Sequence, residues 1–304
     1  MSHDISPAVL KRLADASDEK VTAALVSVAA NLLLIASKLA VGIATGSIAI
    51  LAEAAHSFFD LGASLSAYAG VRFAARPADE THPFGHQRFE NVSGLTQILL
   101  LLATTTFILV EAVDRIRVPR AVTVEWYSFG VIALSLAVDI AMTLYLSHAA
   151  RHTGGSPALS ADALHFSNDM LAAVAVLVGL AFAAGGAMLA DPVAAIVVAV
   201  IMAGVAVRSG ARITNVLADR SPDPETLERV RTLIAAHPDV RSLHDVRARI
   251  LGSSVYLDAC VGLRGDLDLA SAHRISHEIA DVVLAGAPEV ADVLIHPEPV
   301  EEGK

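Results

Sequence analysis

Six segments of the chain, residues 21–45, 48–73, 92–114, 126–148, 158–184 and 192–213, are predominantly apolar. Each reaches the length of about 20 residues that an α-helix needs to cross a bilayer. Gly46-Ser47 and Gly185-Gly186 mark short breaks, so the first and second segments pair as a hairpin, as do the fifth and sixth. After Arg212 the pattern changes. The stretch "LADRSPDPETLERVRTLIAAHPDV" is polar, and Pro222 and Pro224 interrupt it. Residues 224–236 then carry helical periodicity, 240–250 and 254–263 alternate like strands around Gly252, 269–285 form an amphipathic helix, and 290–295 a last strand. The fold class is a mainly α membrane protein: six transmembrane helices plus a small cytoplasmic αββαβ, ferredoxin-like domain. The expected division is a cytoplasmic segment 1–20, a membrane domain 21–213, a linker 214–220 and a cytoplasmic metal-binding domain 221–304.

Composition supports this division. The 304 residues are 54% hydrophobic and 18% charged, with a mean hydropathy of +0.57, too apolar for an ordinary soluble protein. A net charge of −10 argues against a nucleic-acid partner. The one cysteine, Cys260, excludes an internal disulfide and any multi-cysteine zinc site. The polar N-terminus has no cleavable signal pattern, so the first apolar segment is expected to direct insertion. Lys11, Arg12, Lys20, Arg72, Arg76, Arg88, Arg151, Arg208, Arg212 and Arg220 flank the helix ends on one side, against Arg115, Arg117 and Arg120 on the other. That asymmetry places both termini and the tail in the cytoplasm.

Two of the apolar segments are interrupted in the same way. "AEAAHSFFD" (52–60) and "ADALHFSND" (161–169) both read Ala-acid-Ala-x-His-x-x-x-Asp. Residues four apart share a helix face, so His56 with Asp60, and His165 with Asp169, each point one way. A carboxylate at a membrane-helix centre costs about 2.5–3.5 kcal/mol. One such pair is explained by a hydrogen bond that glues helices; the same pair twice points to a site. Facing one another, the four residues supply two imidazoles and two carboxylates, a tetrahedral shell suited to Zn²⁺. Fe²⁺, Mn²⁺ and Co²⁺ accept the same donors. Glu53 and Asp162, three residues before each His, either approach this site from one turn away or face water at a helix end. Asn31, Lys38 and Asp139 read as packing or snorkelling residues.

Further candidates lie outside the apolar segments. In the loop "RPADETHPFGHQRFE", Asp79, His82 and His86 can converge on a metal because Pro83 and Gly85 let the chain fold back. The tail is dense in histidine: His237, His244, His273, His277 and His296, with Asp258 on the strand between.

Together these features resemble the cation diffusion facilitator family, and within it the bacterial ferrous-iron and zinc efflux branch. The resemblance runs from about residue 18 to the end. It rests on six membrane helices, paired ligands on the second and fifth, the "PADETHPFGH" loop and the αββαβ tail. It implies a homodimer in the bacterial inner membrane that exports divalent metal ions in exchange for protons by alternating access. Helices one, two, four and five would rock against three and six. It implies a transport site of His56, Asp60, His165 and Asp169, and a loop site of Asp79, His82 and His86. It further implies cytoplasmic metal ligands at His244, Asp258, His273, His296 and Glu298, and a charge interlock of Arg88 with Asp219. The best-known bacterial members carry Asp where this chain has His56; two His and two Asp look more like the zinc-selective animal members. An intramembrane metalloprotease is disfavoured because no His-Glu-x-x-His motif occurs. A passive metal channel or a membrane metal sensor is the remaining alternative, which sequence alone does not separate from an exchanger.

Overall fold

A computed structural model describes residues 7–46, 48–117, 126–184 and 190–300. The chain forms two compact units: Ser17–Thr214, and Asn215–Lys304 together with Met1–Ala16. Helices α1 (Pro7–Thr45), α2 (Ile48–Ala74), α3 (Arg88–Arg117), α4 (Trp126–His152), α5 (Pro157–Ala184) and α6 (Ala190–Leu217) follow in order. Over their described residues, Ala14–Thr45, Arg88–Arg117, Phe129–His152 and Pro192–Leu217 are long and apolar enough to cross a membrane. The other two long helices, α2 and α5, are those that carry the paired His and Asp residues. Leu33, Leu99, Phe107, Val110, Leu144 and Val200 stand exposed on the helix surfaces, as lipid contact requires.

The helices outrun the apolar segments that predicted them. α1 was expected from residue 21 and begins at Pro7. Its first turns, "PAVLKRLADASDEK", are polar but rich in helix formers, and Pro at a first helical position costs nothing. Hydrophobic runs record only where a helix meets lipid, not where its hydrogen bonding stops.

α5 lies at the centre, packed against α4, α3 and α2. One apolar cluster joins α1, α2, α4 and α5 through small residues, Ala23, Ala24, Ala149, Ala150, Ala158 and Ala163, around Leu146 and Phe166. Small side chains let helix backbones approach closely in lipid. The α3–α5 approach is closer still: a Cβ on Gly94 would sit 2.9 Å from the Pro157 carbonyl oxygen. Gln97 Nε2 donates to Ala158 O at 3.2 Å beside it. Lys20 of α1 donates to buried Glu90 of α3 at 2.7 Å. Ser156, before α5, donates to the other Glu90 oxygen at 2.5 Å.

The other unit contains α7 (Pro224–Ala235), β1 (Ser242–Leu251), β2 (Ser254–Arg264), α8 (Leu269–Gly286) and β3 (Val290–Val300), in the αββαβ order expected. The sheet order is β1-β2-β3, with β1 antiparallel and β3 parallel to β2. The hairpin turns at Gly252, φ 60°. Asp223 and Asp268 cap α7 and α8, accepting from Thr226 N and Ser271 N. Val230, Ile234, Ile275, Ile279 and Val283 of the helices cover Leu257, Ala259, Val261, Val293 and Ile295 of the sheet. β3 runs five residues beyond the expected 295, through Pro297 and Pro299. It is an edge strand, the place in a sheet that tolerates a missing N–H.

Candidate functional site

Three of the four paired residues meet between α2 and α5. His165 Nε2 lies 3.0 Å from Asp60 Oδ1 and 3.8 Å from Asp169 Oδ2. One donor atom from each of the three residues falls within 4.8 Å of the others. Asp60 and His165 are 5% and 2% exposed, so the contact is shielded from bulk solvent. The His56 backbone continues α2, one turn before Asp60, but its side chain and that of Glu53 lie outside the described residues.

The surroundings are more polar than expected. Lys38 does not snorkel: its Nζ turns to Ser57 of α2 at 2.9 Å. Asp139 of α4, 4% exposed, lies within electrostatic reach of Asp60, His165, Asp169 and Lys38. Asp162 is fully buried. Its Oδ1 accepts from Ser64 at 2.9 Å, and Ser64 Oγ accepts from Asn31 at 2.8 Å and contacts Ser27 Oγ at 2.6 Å. A buried polar chain therefore runs from α1 through α2 to α5 and ends one turn from His165. The four carboxyl groups around His165, those of Asp60, Asp139, Asp162 and Asp169, with one lysine among them, make acidic surroundings that favour a multivalent cation.

The loop 75–87 also brings its candidates together. Asp79 Oδ2 is 3.3 Å from His86 Nε2, and Asp79 Oδ1 is 3.3 Å from His82 Nδ1. Gly85, φ 81°, makes the return possible. His86 Nδ1 donates to Pro77 O at 3.0 Å, which in the neutral ring leaves Nε2 as the free donor atom. The Asp79 carboxyl is held well below the usual carboxylate range, first by the Thr81 hydroxyl and then by the His82 N–H.

The tail candidates are spread out. His273 is exposed on α8; His244, Asp258, His296 and Glu298 lie on the strands. Arg247 stands directly across from Asp258. Arg88 opens α3 in one unit, and Asp219, φ 60°, follows α6 in the other.

The family model for the cation efflux transmembrane domain matches residues 24–216, and that for the cation efflux cytoplasmic domain matches 222–300. The chain belongs to the cation diffusion facilitator family. It is similar to the cation-efflux pump FieF of Shewanella oneidensis, 32% identical over 90% of this chain and 92% of that one. The FieF of Serratia proteamaculans is 29% identical over 93% and 95%. A variant MamM CTD in its nickel form aligns at 19% identity and a TM-score of 0.26, over 26% of this chain and 100% of that one. The chain is thus a cation efflux protein with a transmembrane and a cytoplasmic domain, in a family of transporters rather than enzymes.

For a cation efflux protein, the residues that sequence reasoning passed over are Ser27, Ser64 and Thr81. Serine and threonine are common in membrane helices and loops, so no spacing marks them. Their partners are the signal, and Ser64 and Asp162 lie 98 positions apart.

Proposed function

We propose that this protein exports divalent transition-metal ions, Zn²⁺ ahead of Fe²⁺, in exchange for protons, through His56, Asp60, His165 and Asp169. The observation that carries this reading is the buried contact of His165 Nε2 with Asp60 Oδ1 at 3.0 Å, beside Asp169. Metal ligands must give up their protons, and a metal here needs the atoms that this hydrogen bond joins. Proton and metal therefore compete for one place. An exchanger needs that exclusion; a passive pore does not.

At cytoplasmic pH an ordinary imidazole, titrating near about 6.5, is largely neutral and ready to bind metal. After α1, α2, α4 and α5 rock against α3 and α6, a more acidic exterior protonates the histidines and releases the ion. The protonated site returns inward. Asp162, one turn before His165 on α5, ties that helix to α2 and α1 through Ser64, Ser27 and Asn31.

The working unit of this reading is a homodimer in the bacterial inner membrane, with both termini cytoplasmic and Arg88 and Asp219 interlocked. Asp79, His82 and His86 hold a loop metal. His244, Asp258, His273, His296 and Glu298 hold metals between cytoplasmic domains and report cytoplasmic excess.

The test is uptake of Zn²⁺, Fe²⁺, Mn²⁺ and Cd²⁺ in parallel into sealed vesicles holding the purified protein, with and without an imposed pH gradient. Accumulation driven by an acidic lumen, greatest for Zn²⁺, is the expected result. Uptake indifferent to the gradient would identify a passive pore.

A further inference from the structure

Helix α1 presents a polar row to α2. Ser27, Asn31 and Lys38 recur at spacings of four and seven, which keep them on one helix face. Ser27 and Asn31 meet Ser64 of α2, and Lys38 Nζ donates to Ser57 Oγ, two turns earlier on α2, at 2.9 Å. Ser57 is buried and directly follows His56, so the ammonium is held beside the paired histidines and aspartates. Helix α4 closes on the same place from another side. Asp139 is buried and shares a face with Met142, Leu146 and Ala149, which pack with Phe166 of α5. The Lys38 charge acts on both Asp139 and Asp169, and Asp60 and His165 act on Asp139. Neither Lys38 nor Asp139 is among the three residues whose donor atoms converge within 4.8 Å.

We propose that Lys38 and Asp139 are a compensating charge pair that sets how firmly the transport site holds its ion. The proposal rests on the transport site proposed above and adds two residues that act on the ion through space rather than as ligands. A buried place lined by carboxyl groups attracts a divalent ion strongly, because charges are poorly screened there. An exporter must also let its ion go. A cation tethered beside the ligands opposes the ion in every cycle and, unlike a proton, stays in place. Ser57 supplies the tether without adding charge. Asp139 offsets the lysine, so the ion meets neither a trap nor a barrier.

Calorimetric titration of the purified, detergent-solubilised protein with Zn²⁺ tests the pair. The binding that Asp60→Ala removes is read as that of the membrane site. At about pH 8, where protons compete least for the ligands, Lys38→Met should tighten that binding about tenfold or more, and Asp139→Asn should weaken it by a similar factor. The double variant should return close to the wild type. Lys38→Arg keeps the charge and should stay within about threefold of the wild type. In sealed vesicles Lys38→Met should lower KM and kcat together. Damaged packing does not produce opposite changes that cancel in the double variant. If Lys38→Met binds Zn²⁺ as the wild type does, or more weakly, the role of Lys38 is overturned. Asp139→Asn without effect, or a double variant far from the wild type, overturns the pairing. If Asp60→Ala removes no Zn²⁺ binding, the transport site itself is wrong and the pair falls with it.

Discussion

Asp60 reaches His165 from α2 and Asp169 from the next turn of α5, so two carboxyl groups meet one imidazole in a buried place. Asp60→Ala or Asp169→Ala should lower transport by about 100-fold or more, beyond the 10–100-fold that the loss of an outer partner costs. The protein should still fold, because Ser27, Asn31, Ser64 and Asp162 tie the helices independently. Vesicle uptake at the wild-type rate by either variant would remove both from the site. His56→Asp should raise Cd²⁺ uptake relative to Zn²⁺, since a carboxylate offers a larger ion a more adjustable shell than an imidazole does. Its pH profile should move toward acid, because carboxylates release protons at lower pH. An unchanged metal ratio across an external pH series would exclude His56 from the shell. Asp79 tests the loop. A carboxyl depressed in the folded state contributes stability above its ordinary range and loses it only as pH falls through the lower, folded value. Asp79 thus stays ionised in mild acid and keeps its charge for a loop metal there. Thr81→Val removes the largest cause of the depression and should raise the Asp79 titration by about one pH unit, as an NMR titration of its carboxyl would show. The His–Asp pairs were legible because four-residue spacing on a helix has one geometric meaning. For Lys38 the choice between packing and snorkelling stayed open, because an isolated lysine in an apolar run does not reveal that Ser57 waits on the next helix.

Helices α2, α3 and α5 hold the site by close approach, and glycine permits it. A Cβ at Gly70 would lie 2.2 Å from Ser93 Cβ, and one at Gly94 would lie 2.9 Å from the Pro157 carbonyl. Backbone cannot yield as a flexible side chain can. Gly94→Ala should therefore destabilise the membrane domain by about 1–3 kcal/mol and lower its unfolding temperature in detergent. An unfolding temperature equal to the wild type would mean that α3 and α5 are not held together there. At this scale the order of elements was readable and their ends were not. Hydropathy located every long helix, because lipid demands an apolar surface. It missed the polar first turns of α1 and the last residues of α3, α4 and α6, which continue the same hydrogen bonding beyond the apolar run. The strand pattern likewise stopped at residue 295, since Pro297 and Pro299 look like breakers until β3 is known to be an edge.

The whole molecule combines a membrane domain that holds one buried acidic cluster with a cytoplasmic domain that carries histidines on its surface. If the second senses metal for the first, Zn²⁺ should compact the full-length protein, read as a smaller radius in small-angle scattering. His244→Ala with His296→Ala should abolish the change while leaving uptake at saturating Zn²⁺ within about twofold, because neither side chain lies in the membrane domain. Compaction that persists in the double variant would assign the response to other residues. The division into two units was legible from composition, since the apolar density ends near Arg212. The placing of Arg247 across from Asp258 was not, because register depends on the bulge between His244 and Arg247 that only the folded sheet reveals.

The two prolines of β3 carry one more consequence. Proteins confined to a membrane plane meet their neighbours at high local concentration, and a bare strand edge invites endless strand-on-strand growth. Pro297 and Pro299 remove two amide donors from the last strand of this sheet. Neighbouring copies crowded on one membrane therefore find no continuous template along that edge, and the cytoplasmic domain resists fibre-like aggregation there by covalent structure alone.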